Sequence, residues 1–113
     1  MHISITEQEG VTVINVVGKL NVATYSALKK RIRDTVDDGA NKILLDVSGI
    51  QEVDSTGLGL FVTLLNTVRE KGGDLRLAGR FATQVEEAFN LCGLSRVFVQ
   101  YANVKDGITN FDL

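Results

Sequence analysis

Apolar and polar residues alternate near the start of the chain, which predicts two half-buried β-strands. Ile3 and Ile5 fall on the apolar positions of the first strand, and Val11 and Val13 on those of the second. Glu9-Gly10 lies between them and provides a short turn. The chain therefore opens with a predicted pair of neighbouring strands.

Apolar residues next recur every four positions, and this spacing predicts a helix that ends near Asp38. A break at Gly18–Asn21 separates the helix from the strand before it. Either Asn21 or Thr24 can cap its N-terminus, and Gly39 is a C-terminal stop. The predicted buried face consists of Leu28, Ile32 and Val36.

The middle of the chain is its most apolar part. The run Lys42–Val47 is nearly continuous in apolar residues, as expected of a central strand that is covered on both faces. A helix predicted from about Thr56 to Lys71 is apolar around much of its circumference and must be largely buried. Gly72-Gly73 ends it.

The remaining pattern alternates strand and helix signals once more. It predicts a strand over Asp74–Ala78 and a helix from about Ala82 to Leu91 that stops at Gly93. A last strand, Val97–Tyr101, and a short terminal helix, Asn103–Asn110, are predicted to follow. Val85, Ala88 and Phe89 are predicted to face inward.

This order predicts a single α/β domain over residues 1–113. Helices that connect neighbouring strands imply mainly parallel pairing and right-handed crossovers. We therefore expect a mixed, mostly parallel sheet of about five strands packed with about four helices.

Composition narrows the possible partners. The net charge of −2 and the lack of a long basic block argue against a nucleic-acid groove or an anionic membrane as partner. The basic run Lys29–Arg33 is interpreted as the solvated face of the first helix. No signal peptide or membrane-spanning stretch is visible. Cys92 is the only cysteine, is expected to be a small buried hydrophobic residue, and fits a reducing, cytoplasmic setting.

The segment Asp54–Gly59 is the main candidate for function. It lies where a buried strand turns into a buried helix, so Ser55 meets the unpaired N–H groups and partial positive charge of a helix N-terminus. Gly57 and Gly59 each cost about 1 kcal/mol of helix stability relative to Ala. This cost indicates that a backbone without side chains is needed there, either for close packing within the domain or for the close approach of a partner. Simple capping of the helix by Asp54 or Ser55 is the alternative.

Other chemistries fit the sequence poorly. A serine nucleophile needs a nearby base, yet the only histidine, His2, is near the chain end, and the G-x-S-x-G elbow is missing around Ser55. Gly57-Leu58-Gly59 lacks the Gly-Lys-Ser/Thr of a phosphate-binding loop. Four acids could suggest a metal, but without a ligand histidine or a calcium-loop spacing they are interpreted as solvated or capping residues. These acids are Asp37, Asp38, Asp46 and Asp54.

The run from Leu45 through Val53 into Asp54-Ser55-Thr56-Gly57-Leu58-Gly59 resembles the signature of anti-sigma factor antagonists, which are bacterial members of the STAS domain family. The resemblance extends along nearly the whole chain. Three further segments fall in the family's order: Gly18-Lys19-Leu20, Gly72-Gly73-Asp74-Leu75, and Leu91-Cys92-Gly93-Leu94 with Val97-Phe98.

The resemblance implies a cytoplasmic binding module without enzymatic activity or a cofactor. It implies that an anti-sigma factor with serine kinase activity phosphorylates Ser55, that the unphosphorylated form binds this kinase and frees a sigma factor, and that a metal-dependent serine phosphatase resets the switch. Asp54 matches an acid beside the phospho-acceptor. The implied partner-binding residues are Asn21, Asp54, Ser55, Thr56, Gly57, Leu58 and Gly59.

One departure from the family concerns Asn21, because an acid is common at this position. The amide can still cap the first helix, but one negative charge near the partner-facing end is gone. Two alternatives remain open from the sequence. The chain could be a scaffold or accessory STAS subunit of a signalling or lipid-transport complex, or a small enzyme that uses Ser55.

Overall fold

The computed structural model describes residues 1–112, which form one sheet with helices on both of its faces. The strands are β1 His2–Gln8, β2 Val11–Leu20, β3 Lys42–Val53, β4 Asp74–Ala78 and β5 Gln100–Tyr101. The helices are α1 Tyr25–Asp37, α2 Ser55–Glu70, α3 Thr83–Leu91 and α4 Val104–Asn110, with a 3-10 turn at Leu94–Arg96.

The spatial order of the strands follows the chain, β1-β2-β3-β4-β5. β1 pairs antiparallel with β2, whereas β2, β3, β4 and β5 are parallel neighbours. A tight turn suffices for the antiparallel pair, and each parallel pair is bridged by a helix. The predicted α/β class, with a mixed and mostly parallel five-stranded sheet and four helices, is confirmed.

The alternation of side chains along β3 divides the core between the two faces of the sheet. Ile43, Leu45 and Val47 point to the face covered by α1, α2 and α3, where most of the buried residues form one cluster. Leu44 points to the other face, where it joins a smaller cluster that includes Phe111 from the C-terminal segment. The central strand is thus covered on both faces, as its apolar run predicts.

The C-terminal segment is attached to this second face through Arg76. Its guanidinium donates to Tyr101 Oη at 2.7 Å and to Asp74 Oδ2 at 3.2 Å, and it lies 4.7 Å from the centre of the Phe111 ring. Burial opposes the charged form of Arg76, but the hydrogen bonds to Tyr101 and Asp74 outweigh it and raise the pKa of the guanidinium. Tyr101 Oη in turn donates to the carbonyl of Asn110 at 3.2 Å.

Several strand boundaries differ from the prediction. β2 continues through the expected break at Gly18, and β3 continues past Val47 to Val53, with register shifts between the two strands. Gly49 permits this, because a Cβ there would lie 2.7 Å from the carbonyl oxygen of Val16. The last strand is shorter than Val97–Tyr101, since the chain leaves a 3-10 turn and buries Phe98 before β5 begins.

The predicted burial of Cys92 is wrong. Cys92 is exposed at the C-terminal cap of α3, and its neighbour Leu91 is 88% exposed. The chain turns at Gly93, which has a φ of 73°, and only Leu94 then enters the core. Within residues 1–112, none of the helices combines the length and apolar character required to cross a bilayer.

Candidate functional site

The candidate site lies at the carboxyl ends of β2 and β3. The last residues of these strands, Leu20 and Val53, are partners in the parallel register. The segment that follows β2, residues 21–24, is therefore beside the segment that begins α2. We call residues 21–24 the switch loop. Residues more than thirty positions apart in sequence meet here because two parallel strands end together.

Asp54 joins the switch loop to α2. It is the N-cap of α2, and its Oδ1 accepts the N–H of Gly57 at 2.8 Å. Its Oδ2 accepts the N–H of Val22 at 3.1 Å. The N–H of Asp54 also donates to the carbonyl of Leu20 at 3.3 Å. Both carboxylate oxygens thus accept backbone N–H groups, so Asp54 fixes the switch loop as well as capping α2.

The switch loop is also held from within. The backbone carbonyl of Asn21 accepts from the N–H of Tyr25 at 2.9 Å, and the side-chain Oδ1 of Asn21 accepts from the N–H of Ala23 at 2.9 Å. The N-cap of α1 is Thr24, but its hydroxyl accepts from the N–H of Asn21 and donates to the carbonyl of Lys19. The expected cap position is confirmed at Thr24, but neither side chain makes a capping hydrogen bond to α1, since both side chains stabilise the turn that precedes the helix.

Ser55 is the first residue of α2 and is exposed. The first N–H groups of a helix have no intrahelical acceptor, so an anion carried by Ser55 would face free donors and the positive end of the helix dipole. The following hydroxyl, that of Thr56, belongs to a half-buried residue. Ser55 is thus the more accessible of the two hydroxyl residues.

The two glycines of the first turns of α2 serve different purposes. Gly57 is buried, and a Cβ there would overlap the carbonyl oxygen of Leu20. Gly59 is exposed, and a Cβ there would meet no atom within 4 Å. Of the two reasons predicted for a backbone without side chains, close packing within the domain applies at Gly57, which lets α2 approach the end of β2. Only Gly59 leaves bare backbone at the surface.

Two apolar residues near the start of α2 differ in their exposure. Leu58 is half-buried and packs against the main core. Val22 is 69% exposed, although its backbone is fixed by Asp54. Val22 was not predicted from the sequence, because a single valine after a strand carries no periodic signal. The structure identifies it as an exposed apolar side chain on an ordered loop beside the candidate phosphate acceptor.

The charged residues around the site do not form a metal centre. Glu52 pairs with Lys19 at 3.6 Å, and Asp46 accepts hydrogen bonds from Asn15 and Ser48. Within residues 1–112, no three His, Cys, Asp or Glu side chains are grouped so that they could hold a metal ion. In the same part of the chain, the hydroxyl of Ser55 has no hydrogen bond to a histidine base.

Known sequences resemble this chain over most of its length. The sequence model of the STAS domain matches residues 2–107. The anti-sigma-B factor antagonist of Bacillus subtilis is 23% identical over 96% of this chain and 97% of its own. That of Staphylococcus aureus strain NCTC 8325 is 29% identical over 83% of this chain and 86% of its own.

Among solved structures, the Bacillus cell fate determinant SpoIIAA in its phosphorylated form has the same fold. It superposes with a TM-score of 0.74 at 18% identity, and the match covers 97% of this chain and 99% of that one.

Proposed function

This chain belongs to the STAS domain family, and from that premise we propose that it is an anti-sigma factor antagonist controlled by phosphorylation of Ser55. In the proposed cycle, the unphosphorylated chain binds an anti-sigma factor that is also a serine kinase, and a sigma factor is released. The kinase then phosphorylates Ser55 and the complex dissociates. A serine phosphatase restores the binding form.

The observation that carries this proposal is the position of Ser55. It is exposed at the first position of α2, while the neighbouring Asp54 already directs both oxygens to backbone N–H groups. A phosphate adds about −1.5 to −2 charge at neutral pH and is stabilised at a helix N-terminus. The modification therefore changes the surface at little cost to the fold.

The same charge would be unfavourable inside a complex. Two like unit charges about 4 Å apart at an effective dielectric near 20 repel by about 4 kcal/mol. Since about 1.4 kcal/mol changes an equilibrium constant tenfold, half of that repulsion weakens binding by more than tenfold. A phosphate on Ser55 can thus act as a switch without any change of fold.

The named relatives support the assignment. Two are anti-sigma-B factor antagonists, and a third protein of the same fold has been solved in a phosphorylated form. We propose by extension that this chain is a cytoplasmic binding module without catalytic activity or cofactor. Its partner-binding residues would be Asn21 and the accessible members of Asp54–Gly59, with Val22 added from the structure.

The decisive experiment is reconstitution with the anti-sigma factor kinase of the source organism. Wild type and Ser55→Ala should bind it with similar affinity, and only wild type should gain one phosphate on incubation with ATP, located at Ser55 by mass spectrometry. Ser55→Asp should bind at least about tenfold more weakly. Circular dichroism should show all three proteins folded.

Ser95→Asp is the matched control, because Ser95 is also exposed but lies in the 3-10 turn after α3. It should bind like wild type. Phosphate located at Thr56 in place of Ser55, or a Ser55→Asp variant that binds as tightly as wild type, would contradict the proposal.

A further inference from the structure

Helix α1 carries a concentration of positive charge. Four of the twelve Lys and Arg residues of the chain fall within Lys29–Arg33. Lys30 is paired with Asp34 at 2.8 Å. Within residues 1–112, the other three have no carboxylate within ion-pair distance: Lys29, Arg31 and Arg33. Unpaired like charges on one helix turn repel one another, so a counter-charge from outside would be favourable.

Two of these cations lie on the flank of α1 that borders α2. Lys29, Arg33 and Asp37 are spaced four residues apart and therefore share one side of the helix. Asp37 Oδ1 lies 3.9 Å from the Nζ of Lys71, at the C-terminal end of α2. Arg31, in contrast, lines a cavity next to β1. We call the pair Lys29 and Arg33 the basic flank.

The basic flank is continuous with the candidate site. α1 begins at Tyr25, directly after the switch loop that Asp54 fixes to α2. Lys29 is then one helical turn, or about 6 Å of rise, beyond the start of α1. Glu52 is paired with the cation of Lys19, whereas Asp54 keeps its negative charge while it accepts two N–H groups. Lys29 and Arg33 together outweigh that single charge, so this edge is locally basic although the chain has a net charge of −2.

We propose that the basic flank docks on an acidic surface of the anti-sigma factor. The inference rests on the proposed function and adds the chemistry of the partner. An acidic partner surface would attract Lys29 and Arg33 and would repel a phosphate on Ser55, so a single surface accounts for both proposed effects. Charges at the edge of an interface act mainly on the association rate and are screened by salt.

The test is a double charge reversal, Lys29→Glu with Arg33→Glu. The association rate and Kd are measured with the purified anti-sigma factor kinase of the source organism, at low and high ionic strength. We expect the reversal to slow association by about tenfold or more at low salt, with a smaller difference at high salt. The control is Arg96→Glu with Lys105→Glu, two exposed cations outside α1, which should stay within about twofold of wild type.

Each outcome separates this inference from the proposed function. If Ser55→Asp weakens binding but the double reversal does not, the proposed function stands and the acidic docking surface is wrong. If wild type does not bind the kinase, both are wrong.

Sedimentation with phosphatidylserine–phosphatidylcholine vesicles tests a different occupant of the basic flank. Vesicle binding that is lost in the double reversal, together with unchanged affinity for the kinase, would assign the basic flank to an anionic lipid surface and overturn the inference.

Discussion

Asp54 and Val22 lie 32 positions apart in the chain, yet Asp54 Oδ2 accepts the N–H of Val22 at 3.1 Å. The other oxygen of the same carboxylate caps α2 through Gly57. One side chain therefore positions both the helix that carries Ser55 and the loop beside it. This double role can be divided experimentally.

Asp54→Ala should lose both contacts, whereas Asp54→Asn should lose mainly the contact to Val22. An amide has one acceptor oxygen and caps a helix about as well as a carboxylate, but its NH₂ group would face the N–H of Val22. We expect Asp54→Ala to lower the free energy of unfolding by about 1 kcal/mol or more, and Asp54→Asn by less. Urea denaturation measures both.

Amide exchange then isolates the loop contact. In Asp54→Asn, the N–H of Val22 should exchange about tenfold faster or more, since a hydrogen bond to a charged group contributes about 1.5 kcal/mol or more. Unchanged exchange at Val22 would mean that the switch loop is held by its internal hydrogen bonds alone.

The glycines of α2 provide a matched pair of substitutions. Gly57→Ala places a methyl group against the carbonyl of Leu20 and should destabilise the fold by about 1–3 kcal/mol through overpacking. Gly59→Ala enters open space and should stabilise the helix by about 1 kcal/mol. Urea denaturation measures both variants. Equal effects of the two substitutions would contradict the division between an inner and an outer glycine.

Much of the fold follows from the sequence because its signals are local. The four-residue spacing of Leu28, Ile32 and Val36 predicts the buried face of α1, and these residues are buried. The extension of β3 past Val47 was not predicted, because Ser48-Gly49 resembles a turn until β2 is placed beside it. The same limit applies at Cys92, whose apolar neighbours do not reveal that the chain has already turned outward.

The candidate site was predicted only in part, for a related reason. The motif Asp54–Gly59 is contiguous, and its strand-turn-helix setting is visible from hydrophobic periodicity. The involvement of Val22 depends on the parallel register in which Leu20 and Val53 are partners. No local pattern specifies that register. The different roles of Gly57 and Gly59 likewise depend on what packs against each of them.

Val22 should contribute to partner binding and not to folding. Val22→Ala removes two methyl groups from a side chain that is 69% exposed, so the free energy of unfolding should change by less than about 0.5 kcal/mol. If a partner buries this side chain, the loss is about 1.6 kcal/mol at about 0.8 kcal/mol per methyl or methylene group, or roughly tenfold in Kd.

Titration calorimetry against the anti-sigma factor kinase measures this loss. Val99→Ala is the control, because Val99 is 48% exposed just before β5, outside the candidate site. A Val22→Ala variant with the affinity of wild type would exclude Val22 from the interface.

The attachment of the C-terminal helix to the sheet should depend on one hydroxyl group. Tyr101→Phe removes the group that accepts from Arg76 and donates to the carbonyl of Asn110. We expect it to lower the free energy of unfolding by about 1–3 kcal/mol, since a partly buried charged donor loses its acceptor. Lys42→Ala, which removes a surface ion pair with Asp112, should cost about 1 kcal/mol or less. Urea denaturation compares the two.

Asn21→Asp tests the sign of the charge that the partner presents. An aspartate can accept the same hydrogen bond from Ala23 through Oδ1, so the turn and the free energy of unfolding should be preserved. If the partner surface is acidic, the added negative charge should raise Kd by several-fold at low ionic strength. The effect should largely disappear at high salt, where the Debye length falls to about 3 Å. Tighter binding by Asn21→Asp, measured by calorimetry at both ionic strengths, would instead indicate a basic partner group opposite residue 21.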